Sequence, residues 1–335
     1  MRAHPDGNTA PELLALDWGT SSLRAFLMRE GKVIETRHSA HGIQHLPEPG
    51  KSGFEQAFAQ IAKDWLQQWP QLPVVASGMV GSAQGWREAP YVRCPADAQK
   101  LASHSVAVPS GLGPEILIAP GVLFDEMNQL PDVMRGEEIQ IAGALRQNPQ
   151  WAAQCSIVLP GTHSKWARIE NGQIVDFATY MTGELFAMLK KHSILSRLMP
   201  EQAERKSEWD TAAFELGLAT ARNSGPGDFT HQIFATRTLG LTDRLSRSAL
   251  ADYLSGLLIG HELVSGLAQT AEISNVPLIL IGDTALCQRY ALSLNFLGKP
   301  DCTLLDNTAP AGLWDLAHAA GLLDTSDSPK NSRKQ

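Results

Sequence analysis

Leu13-Leu-Ala-Leu-Asp17-Trp-Gly19-Thr20-Ser21-Ser22-Leu-Arg24-Ala-Phe-Leu-Met28 is the stretch whose reading decides the fold. An apolar run ends on an acid, a Gly-Thr-Ser turn follows, and Leu23, Ala25 and Leu27 then alternate with Ser22, Arg24 and Phe26. That pattern predicts two short strands joined by a tight hairpin. Such a turn suits a polyphosphate ligand. Gly19 lets the backbone come close to a phosphate, Thr20 and Ser21 supply N–H and hydroxyl donors, and Asp17 at the strand end can hold a hydrated Mg²⁺. An ordinary hairpin, with Asp and Gly serving only turn chemistry, is built from the same residue types, so the rest of the chain has to decide.

The same logic returns far downstream. In Ile157-Val-Leu-Pro160-Gly161-Thr162-His163-Ser164-Lys165-Trp166 an apolar strand again enters a turn of Gly, Thr and Ser, and Asn171-Gly172 closes a second hairpin. Thr162, His163, Ser164 and Lys165 stand in a row, which offers several donors and one positive charge to oppose phosphoryl charge. Two hairpins of this kind in one chain weigh toward the phosphate reading.

Between the hairpins, Gly31 to Glu35 is a polar-edged strand and Gly53 to Trp69 a helix carrying Phe54, Ala57, Phe58, Ile61, Ala62 and Trp65 at helical spacing. Pro73 to Gly78 is a buried strand that runs into Met79-Val-Gly-Ser-Ala-Gln84-Gly-Trp86-Arg87. Small and amphipathic residues just past a strand's carboxyl end mark a ligand site in open α/β sheets. Ile116 to Gly121 is a further strand, and Asp132-Val-Met-Arg135-Gly136-Glu137-Glu138 opens a helix in which two carboxylates suit the positive end. Beyond the second hairpin, Thr182 is placed to cap a helix over Leu185 to Arg197, with Glu184 near its positive end or on a substrate. Ser246 to Gln269 is a long apolar helix in which His261 reads as a core histidine. Pro277 to Ile281 is a buried strand that enters a helix through Gly282-Asp283, Thr303 to Asp306 is a last strand and Ala309 to Leu323 a last helix.

With 335 residues the chain has length for two domains with separate cores. A net charge of −7 argues against a nucleic-acid partner. Cys94, Cys155, Cys287 and Cys302 form no metal-binding spacing and read as free thiols in a reducing cytoplasm. No run reaches the roughly 18 apolar residues of a membrane span, and no signal peptide is apparent. Residues 1–11 and 325–335 read as frayed tails. Neither a P-loop G-x-x-x-x-G-K-[ST] nor a strand followed by G-x-G-x-x-G is present.

The Asp17-x-Gly-Thr-Ser stretch resembles the first phosphate loop of the sugar kinase, hexokinase and actin-like ATPase superfamily. Gly161 to Lys165 resembles its second, and Gly282-Asp283 its adenosine motif with Asp in place of the usual second glycine. Asp132-Val-Met-Arg-Gly-Glu-Glu, Pro160-Gly-Thr-His-Ser-Lys-Trp and Met181-Thr-Gly-Glu-Leu-Phe resemble one family within it, the 2-dehydro-3-deoxygalactonokinases. The resemblance implies an α/β protein of two ribonuclease H-like domains flanking a nucleotide cleft, with a boundary near 130/131 and the final helix packing back on the first domain. It implies a cytoplasmic enzyme that moves the ATP γ-phosphoryl to the 6-hydroxyl of 2-dehydro-3-deoxy-D-galactonate, with Mg²⁺ held at Asp17. On that reading Gly19, Thr20, Ser21 and Gly161 to Lys165 hold phosphates, and Gly282 and Asp283 lie by the adenosine. Glu137 is the expected base, with Glu138 and Asp132 as alternatives. Ser77, Gly78, Met79, Trp86, Arg87, Arg135, Glu184 and Arg24 are the expected substrate contacts, and Arg135, Arg87 and Arg24 compete for the substrate carboxylate. A homodimer is compatible with this reading. A kinase for another sugar, or a nucleotide-binding regulator, would share the nucleotide motifs.

Overall fold

The structure, a computed structural model, describes residues 10–200, 209–270 and 276–323. The expected tails fall largely on 1–9 and 324–335, outside the described residues. The chain divides into two compact units. Of the described residues, 10–153, 170–176 and 307–323 make the first, and 154–169 with 177–306 the second.

The first unit opens with β1 (Leu13–Trp18), β2 (Leu23–Arg29) and β3 (Lys32–Ser39), an antiparallel meander in which Asp17 lies opposite Arg24. Helix α1 (Lys51–Gln68) then leads to β4 (Val74–Ser77), which lies parallel to β1 with Ser77 beside Asp17. After β5 (Tyr91–Arg93) and α2 (Ala98–Ser103) come β6 (Val106–Pro109) and β7 (Glu115–Ile118). The sheet order is β3-β2-β1-β4-β7-β6, with β7 parallel to β4 and β6 antiparallel at the edge. Alternate residues of β1 and β2, together with Phe54, Phe58, Ile61 and Trp65 of α1, form one continuous core. The helical spacing of those α1 residues is what lays a single apolar face on the sheet.

Where one strand was expected over Ile116 to Gly121, the chain forms β7 and then β8 (Gly121–Phe124). Pro120 has no N–H to give a ladder, so pairing stops there and resumes in another sheet. That sheet, β5-β8-β9, is completed by β9 (Asp132–Met134) and delivers the chain to α3 (Glu137–Gln147). Gly136 is the cap residue of α3, at φ 107°, a conformation open to glycine. Past residue 130, the first unit therefore continues through α3 to residue 153.

The second unit holds β10 (Gln154–Leu159), β11 (Ser164–Glu170) and β12 (Gln173–Tyr180), of which the β11–β12 tip counts with the first unit. Asn171 and Gly172 both take positive φ, as a two-residue hairpin turn requires. Helices α4 (Thr182–His192), α5 (Thr211–Arg222), α6 (Phe229–Leu241) and α7 (Leu250–Thr270) follow, then β13 (Leu278–Ile281), α8 (Thr284–Phe296) and β14 (Thr303–Leu305). The sheet order is β12-β11-β10-β13-β14, with β13 parallel to both β10 and β14. Both units thus share the third-second-first-fourth strand order with one further parallel strand, the ribonuclease H-like arrangement. The α/β class expected from the sequence is the one observed. Thr182 is the first residue of α4, and Met181 occupies the cap position assigned to Thr182 from sequence.

The last helix, α9 (Ala309–Ala319), returns to the first unit and packs on α3. The approach is close: a Cβ on Gly143 would lie 2.0 Å from the Thr308 carbonyl oxygen, and one on Gly312 would lie 1.8 Å from that of Ile139. All four cysteines are free thiols. Among the described residues no helix is long and apolar enough to cross a membrane.

Candidate active site

In each unit the expected residues gather where parallel strands end, because a turn after a parallel strand leaves backbone groups facing outward with no ladder partner.

In the first unit, Asp17 is the last residue but one of β1 and is paired with Arg24 across the hairpin, Oδ2 to Nη2 at 2.6 Å. Burial raises the Asp17 carboxyl above its usual range, and the charge and hydrogen bond of Arg24 work against that rise. Thr20 and Ser21 are exposed at the tip. The turn rests on a segment that carries no motif or periodicity of its own. The amides of Ile43 and Gln44 donate to the carbonyls of Gly19 and Thr20, and a Cβ on Gly42 would sit 2.3 Å from the Ser22 nitrogen. Gly42 is therefore the residue that lets this segment lie flat against the turn.

Beside Asp17, buried Ser77 ends β4 and Gly78 turns away at φ 94°, with half-buried Met79 next. A Cβ on Gly78 would stand 2.8 Å from the Trp18 carbonyl oxygen, and one on Gly136 would stand 3.3 Å from Gly78 Cα. Two bare glycines thus bring the start of α3, with Glu137 and Glu138, against the end of β4. Glu137 is half-buried and accepts from the Arg135 amide at 3.1 Å. Glu138 is wholly buried, with both carboxylate oxygens on the Gly136 amide at 2.9 and 2.7 Å. Burial, and next the charge of Glu137, push the Glu138 carboxyl up to about 8. Asp132 accepts from the Val133 amide within β9.

Trp86 and Arg135, expected on the substrate, are built into the unit's interior. The Trp86 ring packs against Trp18, Phe54 and Phe58, and one side of it lines a cavity of about 450 Å³ with Gln44, Lys51 and Gln84. Arg135 lies over the Tyr91 ring and donates to the Ala89 carbonyl, with Nε and Nη1 buried. Arg87 is exposed and donates to the Ala107 carbonyl on the edge strand. Of the three arginines considered for a carboxylate, Arg24 is the one beside Asp17.

In the second unit, β10 and β13 run side by side, so the turn Gly161–Lys165 and Gly282 emerge together. A Cβ on Gly282 would lie 3.5 Å from the Pro160 carbonyl oxygen. A Cβ on Gly161 would have no atom within 4 Å, so the backbone there faces open space. Thr162 and His163 are exposed. Ser164 is turned inward, its Oγ accepting from the Gly161 amide at 3.3 Å and lying 3.1 Å from Tyr290 Oη. Expected as a phosphate donor, it is instead part of the turn's scaffold. Lys165 is buried, with Nζ 3.3 Å from the His163 carbonyl. Glu184, expected on the substrate, pairs with His163 and gives its amide to the Thr162 carbonyl. Asp283 caps α8 by accepting from the Leu286 amide, which explains an acid where a second glycine is usual.

The family model described as 2-keto-3-deoxy-galactonokinase matches residues 17–316. The chain belongs to this family. A 2-dehydro-3-deoxygalactonokinase of Escherichia coli (strain K12) is 35% identical to it over 307 residues, 91% of this chain and 97% of that protein. A Rhizobium meliloti (strain 1021) protein that bears the same name provisionally is 35% identical over 286 residues, 85% of this chain and 90% of its own length. A crystal structure from Sinorhizobium meliloti, its protein also named provisionally as a 2-dehydro-3-deoxygalactonokinase, superposes with a TM-score of 0.78 at 33% identity. That match covers 92% of this chain and 98% of the other. The family expected from the sequence is thereby borne out, and with it a kinase that uses ATP.

A kinase of this family must hold ATP. Bare backbone at Gly161, beside Gly282 at the ends of two parallel strands, fits a polyphosphate and the nucleoside attached to it. Mg²⁺ needs only one or two carboxylates when phosphates and water complete its octahedron. Asp17 beside an exposed Thr-Ser tip fits that role, and among the described residues no trio of His, Cys, Asp or Glu forms a cage for a metal. What the sequence did not signal is the support: Gly42 behind the first turn, and Tyr290 with Glu262 behind the second.

Proposed function

We propose that the chain phosphorylates 2-dehydro-3-deoxy-D-galactonate at its 6-hydroxyl with ATP, within galactonate breakdown. The observation that carries this is the pairing of Gly161 and Gly282 at neighbouring strand ends, where backbone without side chains can meet a nucleotide. The turn Gly161–Lys165 binds phosphate through its amides and through Thr162 and His163, and Gly282 lies by the adenosine. Thr20 and Ser21 are further phosphate donors. Asp17 holds a hydrated Mg²⁺, which neutralises charge on the phosphates.

Glu137 accepts the proton of the acceptor hydroxyl. The hydroxyl oxygen forms its bond to the γ-phosphorus as the bond from that phosphorus to the β,γ-bridging oxygen breaks, and ADP leaves with the electron pair. Glu138 is the weaker candidate for the base, since it is shut off from solvent and protonated over much of the neutral range. The loop after β4 runs from Ser77 beside Asp17 to Gln84 and Trp86 in the wall of the cavity, which gives the sugar acid a place on the first unit. Arg24 meets its carboxylate.

ADP release measured with and without 2-dehydro-3-deoxy-D-galactonate tests the proposal. Turnover that depends on the acceptor is expected. Equal turnover with a panel of other sugars and sugar acids, or none with this one, overturns it.

A further inference from the structure

Glu262 lies on α7 at 2% exposure, in a helix whose other buried side chains are apolar apart from Asp252, Tyr253 and Ser255 near its start. A lone carboxylate there would carry a large desolvation cost. It is instead surrounded by donors. Trp166 Nε1 donates to Oε1 at 2.9 Å, Tyr290 Oη donates to Oε2 at 2.7 Å, and the Thr182 hydroxyl also bonds to it. Burial raises the Glu262 carboxyl, and those hydrogen bonds work to keep it charged.

These three donors, and Ser164 behind Tyr290, come from the elements that shape the second turn. Ser164 and Trp166 begin β11, directly after the turn. Thr182 begins α4, whose Glu184 amide holds the Thr162 carbonyl. Tyr290 lies on α8, the helix that Gly282 and Asp283 introduce. A relay also runs outward from the carboxylate through Tyr290 and Ser164 to the Gly161 amide. Replacing buried charges by apolar groups is often neutral or favourable for stability, so stability by itself gives little reason for such a centre, whereas geometry does.

We propose that Glu262 is a positioning residue, one that through Ser164, Trp166, Thr182 and Tyr290 holds the turn Gly161–Lys165 in the conformation that accepts a nucleotide polyphosphate. The inference rests on the nucleotide-binding part of the function proposed above. Glutamine in its place keeps the shape but offers one acceptor oxygen; with that oxygen on the Trp166 N–H, its NH₂ faces Tyr290, whose hydroxyl can accept from it only by turning its own proton elsewhere, which reverses the relay.

The test is calorimetric titration of the full-length chain with Mg²⁺·ADP and with a non-hydrolysable ATP analogue, alongside thermal melting and steady-state kinetics. Glu262→Gln is expected to weaken nucleotide binding at least about tenfold, the size of one lost hydrogen bond to a charge. KM for ATP should rise with it while KM for the sugar acid holds. Tyr290→Phe, which keeps the ring packing and cuts only the relay, should move in the same direction by less, and it carries the test should Glu262→Gln fail to fold. Native nucleotide affinity in a folded Tyr290→Phe and Glu262→Gln overturns the proposal, as does a fall in kcat with nucleotide affinity intact. A native chain that binds nucleotide without acceptor-dependent turnover overturns the acceptor assignment alone. One that binds no nucleotide overturns both.

Discussion

Glu137 and Glu138 are neighbours in sequence with opposite surroundings, and the contrast yields two separable predictions. Glu137→Gln should lower kcat by roughly 10² to 10⁴, the usual worth of a general base, with KM for ATP nearly unchanged. Steady-state kinetics check this, and native turnover would remove Glu137 from the role. Glu138 is a matter of stability. Its carboxyl moves from the ordinary 4.5 to about 8 on folding, so the folded state holds the proton more tightly than the unfolded chain. Its contribution is whole below about pH 4.5 and is lost as pH rises toward 8, amounting to a few kcal/mol at most. Glu138→Gln cannot lose a proton and its oxygen can still accept from Gly136. Calorimetric melting should therefore show a smaller loss of stability between pH 5 and pH 8 than in the native chain. At this scale the positions of Asp17, Gly161 and Gly282 at strand ends were legible because each closes an apolar run. Glu262 was hidden, since an acid within a largely apolar helical pattern says nothing of the donors that other elements bring to it. Ser164 was misplaced for a related reason: pattern identifies a turn or a loop, but which way a side chain faces depends on what packs behind it.

Among the elements, the two hairpins were readable from alternation and turn residues, and α1 from its helical spacing. The pieces that escaped were β5, α2, β6, β8 and β9, which are three to six residues long. Elements so short carry too few periods to show a pattern and exist only by pairing with distant chain. The second turn and α4 meet through glycines of two kinds, which makes a paired prediction. A Cβ on Gly183 would stand 2.4 Å from the Gly161 carbonyl oxygen, whereas one on Gly161 itself would point into open space. Gly183→Ala should force α4 off the turn, costing about 1–3 kcal/mol as overpacking does, and weaken nucleotide binding as a consequence. Gly161→Ala should leave stability within about 0.5 kcal/mol and still weaken nucleotide binding, because the methyl occupies the space over the bare backbone. Melting and nucleotide titration of both variants check the pair. Equal destabilisation of the two would contradict it.

On the scale of the whole molecule, the chain leaves the first unit after residue 153, adds the hairpin tip 170–176 to it, and returns to it at residue 307. A unit built from separate stretches depends on its last piece. Helix α9 brings Leu313, Trp314, Leu316 and Ala317, all buried, and its Gly312 meets the α3 backbone. Burying a large apolar side chain stabilises by about 1.5–3 kcal/mol, so three of them approach the 5–15 kcal/mol that holds a typical domain together. The core of the second unit, by contrast, is closed by Phe214, Leu218, Leu263, Leu280 and Leu294, all N-terminal to residue 307. A chain ending at Asp306 should therefore lose the first unit's fold and with it acceptor-dependent turnover, while the second unit keeps its core. Limited proteolysis read by mass spectrometry should place the early cuts in 10–153 and spare 177–306, apart from the stretches that are cut in the full-length chain as well. Uniform resistance equal to that of the full-length chain would mean that α9 is dispensable. Early cutting throughout both units would mean that the second core needs the first in order to persist.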